Sequence, residues 1–243
     1  MNSIEPISIR NVKREARALY HGRLGTAIKI NIVPIVLTIL TTVSTLLSLY
    51  IVFRQFATIS DVSVSSDGRI SQMYETIQDI LSQAVQLVLT WSVCWTLIDW
   101  YEQPKTKPTL KTAFQAFTHG NIWHTLLLAI VQSVLMFLWT LLLIVPGLVK
   151  YFAYSQTYFI YKIDIEHGTR QRQLTDYITI SRRLMAGRKW ELFLLELSFI
   201  GWHILGFVTA GLAYIYVIPY LNATRVAYSR HLLTLKLAER QAA

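Results

Sequence analysis

Charged residues fall in a few clusters along the chain, and long apolar runs separate them. The runs cover about Thr26–Phe53, Ile80–Tyr101, Ile122–Val145, Leu148–Tyr161, Trp190–Val208 and Leu212–Tyr228. At about 1.5 Å per helical residue most of them reach across a hydrocarbon core of about 30 Å; the fourth is shorter. Three basic segments precede them, one to each pair. From Ile7 to Tyr20 the apolar positions Ile9, Val12, Ala16 and Leu19 recur at helical spacing, with Arg10, Lys13, Arg14 and Arg17 around them. Glu102–Thr118 sets Leu110, Ala113, Phe114 and Phe117 beside Lys105, Lys107 and Lys111. Lys162–Lys189 sets Leu174, Tyr177, Ile178, Ser181, Leu184 and Met185 on one helical face, with Arg172, Arg182, Arg183, Arg188 and Lys189 supplying charge. Such segments read as helices lying in a membrane interface with snorkelling cations. The expected fold class is therefore all-α. It is a polytopic membrane protein of about six transmembrane helices in three hairpins, each hairpin preceded by a cytoplasmic interfacial amphipathic helix.

A junction recurs between the basic segments and the runs: an apolar residue, two further residues, then glycine. It appears as Leu19 to Gly22, Phe117 to Gly120 and Leu184 to Gly187, and Gly22 suits a helix C-cap. One shift of the chain superposes Phe117, Gly120 and Trp123 on Leu184, Gly187 and Trp190. This implies a single membrane domain over 1–243 with internal repeats at about 7–101, 106–163 and 171–232 and a C-terminal tail at 233–243. Tight turns are expected at Pro146-Gly147 and Thr209-Ala210-Gly211, and a kink at Pro34. Arg54 to Asp79, containing SDVSVSSDG, reads as the longest external connection, and Asp99-Trp100-Tyr101 as the inner aromatic boundary.

Composition sharpens this picture. The 243 residues are 53% hydrophobic and only 15% charged, too apolar for an average soluble domain. The net charge of +9 would suit nucleic acid, but the cations flank apolar runs, so anionic lipid accounts for them more directly. With both termini inside, 19 of the 23 Lys and Arg residues fall in inner segments or at the inner end of the last run. The basic collar comprises Arg14, Arg17, Arg23, Lys107, Lys111, Arg182, Arg183, Arg188 and Lys189. Cys94 stands alone inside a run and reads as a small buried hydrophobe. No cleavable signal peptide is read at the N-terminus.

The runs IVPGLVKYFAYSQTYFIY, SRRLMAGRKWELFLLELSFIGWHILGFVTAG and YVIPY resemble a bacterial family of integral membrane proteins, domain of unknown function 975. The resemblance is strongest from about Ile122 to Leu232. It implies a multi-spanning protein of the bacterial inner membrane and supplies no activity and no catalytic residues.

Reactive patterns are missing: no HExxH, no GxSxG elbow, no phosphate loop and no paired catalytic carboxylates. No catalytic residue, cofactor or metal is therefore assigned. The intramembrane polar and charged candidates are Glu196, Arg225, Asp99, Lys150, Gln132, Gln156 and Asn222. An ionisable group in hydrocarbon costs about 2.5–3.5 kcal/mol on insertion scales and needs a partner or a function. Glu196 and Arg225 sit at similar distances from the inner ends of adjacent antiparallel runs, so they should face each other. They would either hold the last hairpin as an ion pair or line a polar cavity. The functional expectation is a non-enzymatic inner-membrane protein acting on lipids, through anionic headgroups at the cytoplasmic face, or on a membrane-protein partner. The alternative is a small transporter or channel with a polar cavity between the repeats.

Overall fold

The structure, a computed structural model, describes residues 6–57, 68–118, 122–168 and 173–241. Among them the chain is helical throughout, with no strand. The elements are α1 (Ile9–Tyr20), α2 (Leu24–Ile30), α3 (Ile32–Ala57), α4 (Gly68–Glu102) and α5 (Gln115–Thr118). They continue with α6 (Ile122–Leu142), α7 (Ile144–Tyr154), α8 (Thr157–Glu166), α9 (Leu174–Leu184), α10 (Lys189–Leu197), α11 (Ile200–Val208) and α12 (Tyr214–Gln241). Among the described residues four stretches are long and apolar enough to cross a membrane: Ile32–Gln55, Met73–Glu102, Ile122–Leu142 and Lys189–Val208. His119, Gly120, Arg172 and most of the SDVSVSSDG connection lie outside the described residues.

The centre of the molecule is α12. From Tyr220 to Ser229 every residue but Arg225 is buried. Ala223, Thr224, Ala227 and Ser229 are small, which lets neighbouring backbones come close where packing rather than water drives association. α1, α2, α3, α4 and α11 all pack on this helix. Against expectation, α12 does not end near Tyr228 with a separate tail; it runs unbroken to Gln241. The extension is held by Arg230, 2.8 Å from Glu15, by His231, 2.8 Å from the same carboxylate, and by Glu239, 3.4 Å from Arg188.

That extension explains what becomes of the first basic segment. Val12, Ala16 and Leu19 of α1 are buried, and α1 packs along α12. The stripe expected to face lipid is covered by protein. Gly22 then takes φ +69°, the left-handed conformation a helix-ending glycine supplies. Likewise Tyr177, Ile178 and Ser181 of α9 and Met185 just after it are buried, and α9 packs on α6, α7 and α8. The second basic segment is not a full helix. It is a 3-10 turn at Thr112–Phe114 leading into the four-residue α5, because Pro104 and Pro108 interrupt it. It is fastened to α4 by Ala116 N–H to Ser92 Oγ (3.0 Å) and Gln115 Nε2 to Asp99 Oδ2 (3.0 Å).

Three apolar runs are interrupted, and at each break a side chain of another helix bonds to the interrupted segment. Pro34 has no N–H to offer the Ile30 carbonyl, so α2 stops at Ile30 and Pro34 falls in the first turn of α3; the break is at Asn31. Buried Asn31 donates to Ala27 O (2.8 Å) and accepts from Asn222 Nδ2 of α12 (2.9 Å). Between α7 and α8 the Ser181 hydroxyl of α9 accepts from Gln156 N–H (3.1 Å) and donates to Ala153 O (2.8 Å). At the α10–α11 break Lys13 of α1 donates to Ser198 O (3.2 Å) and lies 4.3 Å from the centre of the Phe199 ring. That partly buried ammonium is held below the usual lysine range by desolvation and, after it, by the Arg17 charge.

Other boundaries also move. Pro146-Gly147 is not the turn: Leu143 alone is extended, and both residues sit in the first turn of α7, where a missing N–H costs nothing. Gly147 lets α7 close on α6, since a Cβ there would come within 3.0 Å of Thr140 Oγ1. α4 begins at Gly68 rather than near Ile80, continuing the helical spacing of Met73, Ile77 and Ile80. Trp100 and Tyr101 are buried instead of forming a belt, Tyr101 donating to Ala223 O (3.1 Å), whereas Trp123 and Trp190 are exposed.

Ser181→Ala removes one hydroxyl and leaves an amide and a carbonyl without partners in a buried place. Thermal unfolding in detergent micelles is expected to show a loss of about 1–3 kcal/mol; an unchanged midpoint refutes the bridging role.

Candidate functional site

α4, α6, α7, α8, α10 and α12 surround a cavity of about 340 Å³. The wall from α4 consists of Gln83, Gln86, Leu87, Thr90, Trp91 and Cys94, a single helical face. Gln132, Ser133 and Met136 come from α6, Leu192 and Glu196 from α10, and Arg225 and Ser229 from α12. The interruption between α7 and α8 contributes Ser155 and Gln156, with Tyr151 on one side and Tyr158 on the other. Gln83, Gln86 and Tyr151 are exposed and form the mouth, while Trp91, Cys94, Gln132, Gln156 and Tyr158 are buried.

Glu196 and Arg225 meet in this wall as their register implies. Arg225 donates from Nε to Glu196 Oε1 (2.6 Å) and from Nη2 to Oε2 (2.9 Å), a two-pronged pair that neutralises both charges. Arg225 Nη2 also reaches Tyr151 Oη at 3.4 Å. Behind them the Ser229 hydroxyl donates to Arg225 O (3.0 Å), so the Tyr158 hydroxyl, 3.0 Å away, donates to Ser229 Oγ. Ser155 Oγ donates to Phe152 O (2.8 Å) and accepts from Gln156 Nε2 (3.1 Å), which fixes that amide with its oxygen directed away from Ser155. Gln156 Oε1 and Gln132 Oε1 have no hydrogen-bond partner among the described residues.

The cavity therefore unites four of the seven intramembrane candidates: Glu196, Arg225, Gln132 and Gln156. The other three lie elsewhere. Asp99 accepts from Lys162 Nζ at 2.6 Å, and Lys162, buried, also bridges to Glu166 (2.8 Å). Lys150 stands 4.1 Å over the Trp139 ring, with Arg182 in the same groove. Asn222 serves the break at Asn31. Of the collar, Arg14, Arg17, Lys107, Lys111, Arg182 and Arg183 are exposed, and Arg23 and Lys189 are half-buried. Arg17 nonetheless donates to Tyr220 Oη (3.0 Å), and Arg23 donates to Pro104 O. Arg188 is not part of a surface collar: it is 1% exposed, its guanidinium held by Glu191 and Glu239. The sequence reading missed Ser133, Ser229 and the polar row Gln83, Gln86, Thr90 as one face. Their helical spacing inside an apolar run was the available signal.

Among the described residues the protein is all-helical, with four helical stretches fit to cross a membrane and a cavity lined by both polar and apolar side chains. Residues 142–236, from the end of α6 into α12, match the model of the family described as "Protein of unknown function (DUF975)". No curated protein and no solved structure matches the chain.

If the Glu196–Arg225 pair is a structural tie, Glu196→Gln and Arg225→Gln should each lower unfolding free energy by about 2–3 kcal/mol, since each strands a charge. The double substitution should cost clearly less than the two combined. Additive losses in thermal unfolding would show that the two groups do not act as a pair.

Proposed function

We propose that the chain is a multi-pass protein of the bacterial cell membrane, crossing it about six times with both termini cytoplasmic. In this reading α7–α8 and α12 add two crossings to the four apolar stretches. The skew of Lys and Arg toward inner segments and the exposed Trp123 and Trp190, each just after an inner junction, support the orientation. The exposed cations Lys107, Lys111, Arg182 and Arg183 would then rest against anionic lipid headgroups.

The protein acts, in this proposal, as a non-enzymatic accessory that holds an amphiphile within the bundle. One observation carries the reading: the cavity lining combines apolar side chains with a few polar ones. Leu87, Trp91, Met136 and Leu192 offer apolar surface, and the Glu196–Arg225 pair with Gln132 and Gln156 offers polar groups. The mouth at Gln83, Gln86 and Tyr151 lies on helices that would face the bilayer. Filling the cavity with Met136→Trp is expected to reduce the amphiphile recovered on extracting purified protein by about tenfold. Equal recovery with and without the tryptophan refutes the reading.

A second reading, a small transporter, is favoured by one feature. The helix break at Ser155–Gln156 lines the cavity, and interrupted helices commonly form solute sites at mid-membrane. Reconstituted vesicles that accumulate a polar solute only with intact Glu196 would select it. Orientation is checked separately with single cysteines at Lys107 and Arg183 in a Cys94→Ser background. An impermeant maleimide should label both only from the cytoplasmic side.

A further inference from the structure

The bundle leaves one intramembrane charge unmatched. Of the four charged intramembrane candidates, Glu196 and Arg225 pair with each other and Asp99 pairs with Lys162. Lys150 has no carboxylate partner among the described residues. Its ammonium lies 4.1 Å over the Trp139 ring, and a ring face offsets part of what a cation loses on leaving water. Lys150 opens on a groove of about 470 Å³ between α6, α7 and α9, a volume in the range of ligand clefts. Leu135, Trp139 and Ile178 give this groove apolar surface, and Thr175, Thr179 and Arg182 line it from one face of α9. Among the described residues no carboxylate lines it. The polar groups are within reach of a ligand: Arg182 and Thr175 are exposed, and Lys150 and Thr179 are half-buried. Lys189, at the start of α10, brings a third positive charge within electrostatic range of Lys150. Like charges gathered without a counter-ion repel, and an anion among them removes that cost. Beside the groove α6 exposes Leu138 and Leu141, a surface suited to hydrocarbon, so the anion fits best as the head of a lipid.

We propose that this groove holds one anionic phospholipid of the inner leaflet, its phosphate bound by Lys150 from α7 and Arg182 from α9. The inference rests on the bilayer reading and is independent of the central cavity. Arginine takes phosphate oxygens two at a time and lysine acts as a point charge, while Thr175 and Thr179 add hydroxyl donors. An acyl chain lies against Leu135 and Trp139. The groove thereby selects one lipid, whereas the exposed Lys107 and Lys111 attract headgroups in general.

The test uses the full chain in nanodiscs of phosphatidylcholine, with thermal unfolding and native mass spectrometry as readouts. Dioleoylphosphatidylglycerol should be retained one per chain and raise the unfolding temperature. Dioleoylglycerol, without the phosphate, and inorganic phosphate, without the chains, should do neither. Lys150→Gln with Arg182→Gln should weaken retention about 10- to 100-fold. In pure phosphatidylcholine the same variant should unfold close to the parent, because neither side chain has a carboxylate partner to lose. Lys150→Arg should keep the lipid, and Lys107→Gln with Lys111→Gln should leave retention unchanged. Undiminished retention by the Lys150 and Arg182 variant, or an equal loss from Lys107 and Lys111, overturns the site in favour of a diffuse collar. Early unfolding of the Lys150 and Arg182 variant in pure phosphatidylcholine makes the two cations structural and also overturns it. Stabilisation by inorganic phosphate alone overturns the lipid as occupant. Failure of the chain to enter nanodiscs overturns the bilayer reading itself, and this inference with it.

Discussion

An interrupted helix in apolar surroundings leaves backbone amides and carbonyls with no water to take them, and each must find a partner in the protein itself. The arrangement of this bundle follows from that constraint. Pro34 forces the first break, and the side chains of Asn31 and Asn222 close it. Ser181 closes the second with one hydroxyl acting in both senses, and Lys13 places an ammonium at the C-terminal end of α10, where the helix dipole favours a cation. Two of these three partners sit on the basic segments α1 and α9. Their apolar faces are buried in the bundle for the same reason: a segment that must deliver a side chain into a break has to pack beside it.

The second break also shapes the cavity. If α7 continued straight into α8, Ser155 and Gln156 would be ordinary helical positions with backbone groups used internally. The interruption instead turns the Gln156 side chain onto Ser155 at the cavity wall, its carbonyl oxygen buried with no hydrogen-bond partner among the described residues. Opposite it, Arg225 sits on the most buried part of α12, where an unpaired guanidinium would be costly, and Glu196 meets it with two short hydrogen bonds. The polar groups of the lining thus largely satisfy one another, the two amide oxygens excepted, beside apolar leucine, tryptophan and methionine side chains.

α3 stands apart. Leu40, Val43, Leu47, Tyr50, Val52 and Phe53 are exposed, and the helix touches the rest mainly through α12 and α4. Its apolar surface on several sides is what a helix bathed in hydrocarbon presents. The turn between α11 and α12 reaches it at one place, where Gly211, at φ +94°, allows the Ile39 backbone to approach closely.

Local pattern was enough to identify the apolar runs, the basic segments between them, the helix-ending role of Gly22 and the facing of Glu196 and Arg225. All of these depend on spacing along one helix or on register between two neighbours, which the periodicity of the chain carries directly. The partners of the breaks were not legible. Ser181 and Asn222 read as ordinary polar residues, because their meaning comes from a backbone gap on another helix. Arg188 looked like surface charge because its carboxylate at Glu239 is distant in sequence, on an extension of α12 that the polar tail did not announce. Beyond Glu196 and Arg225 the intramembrane candidates were equivalent on paper; only the packing of six helices placed Gln132 and Gln156 with that pair in one cavity. Burial, and the pairing it compels, is a property of the assembled bundle and not of any segment within it.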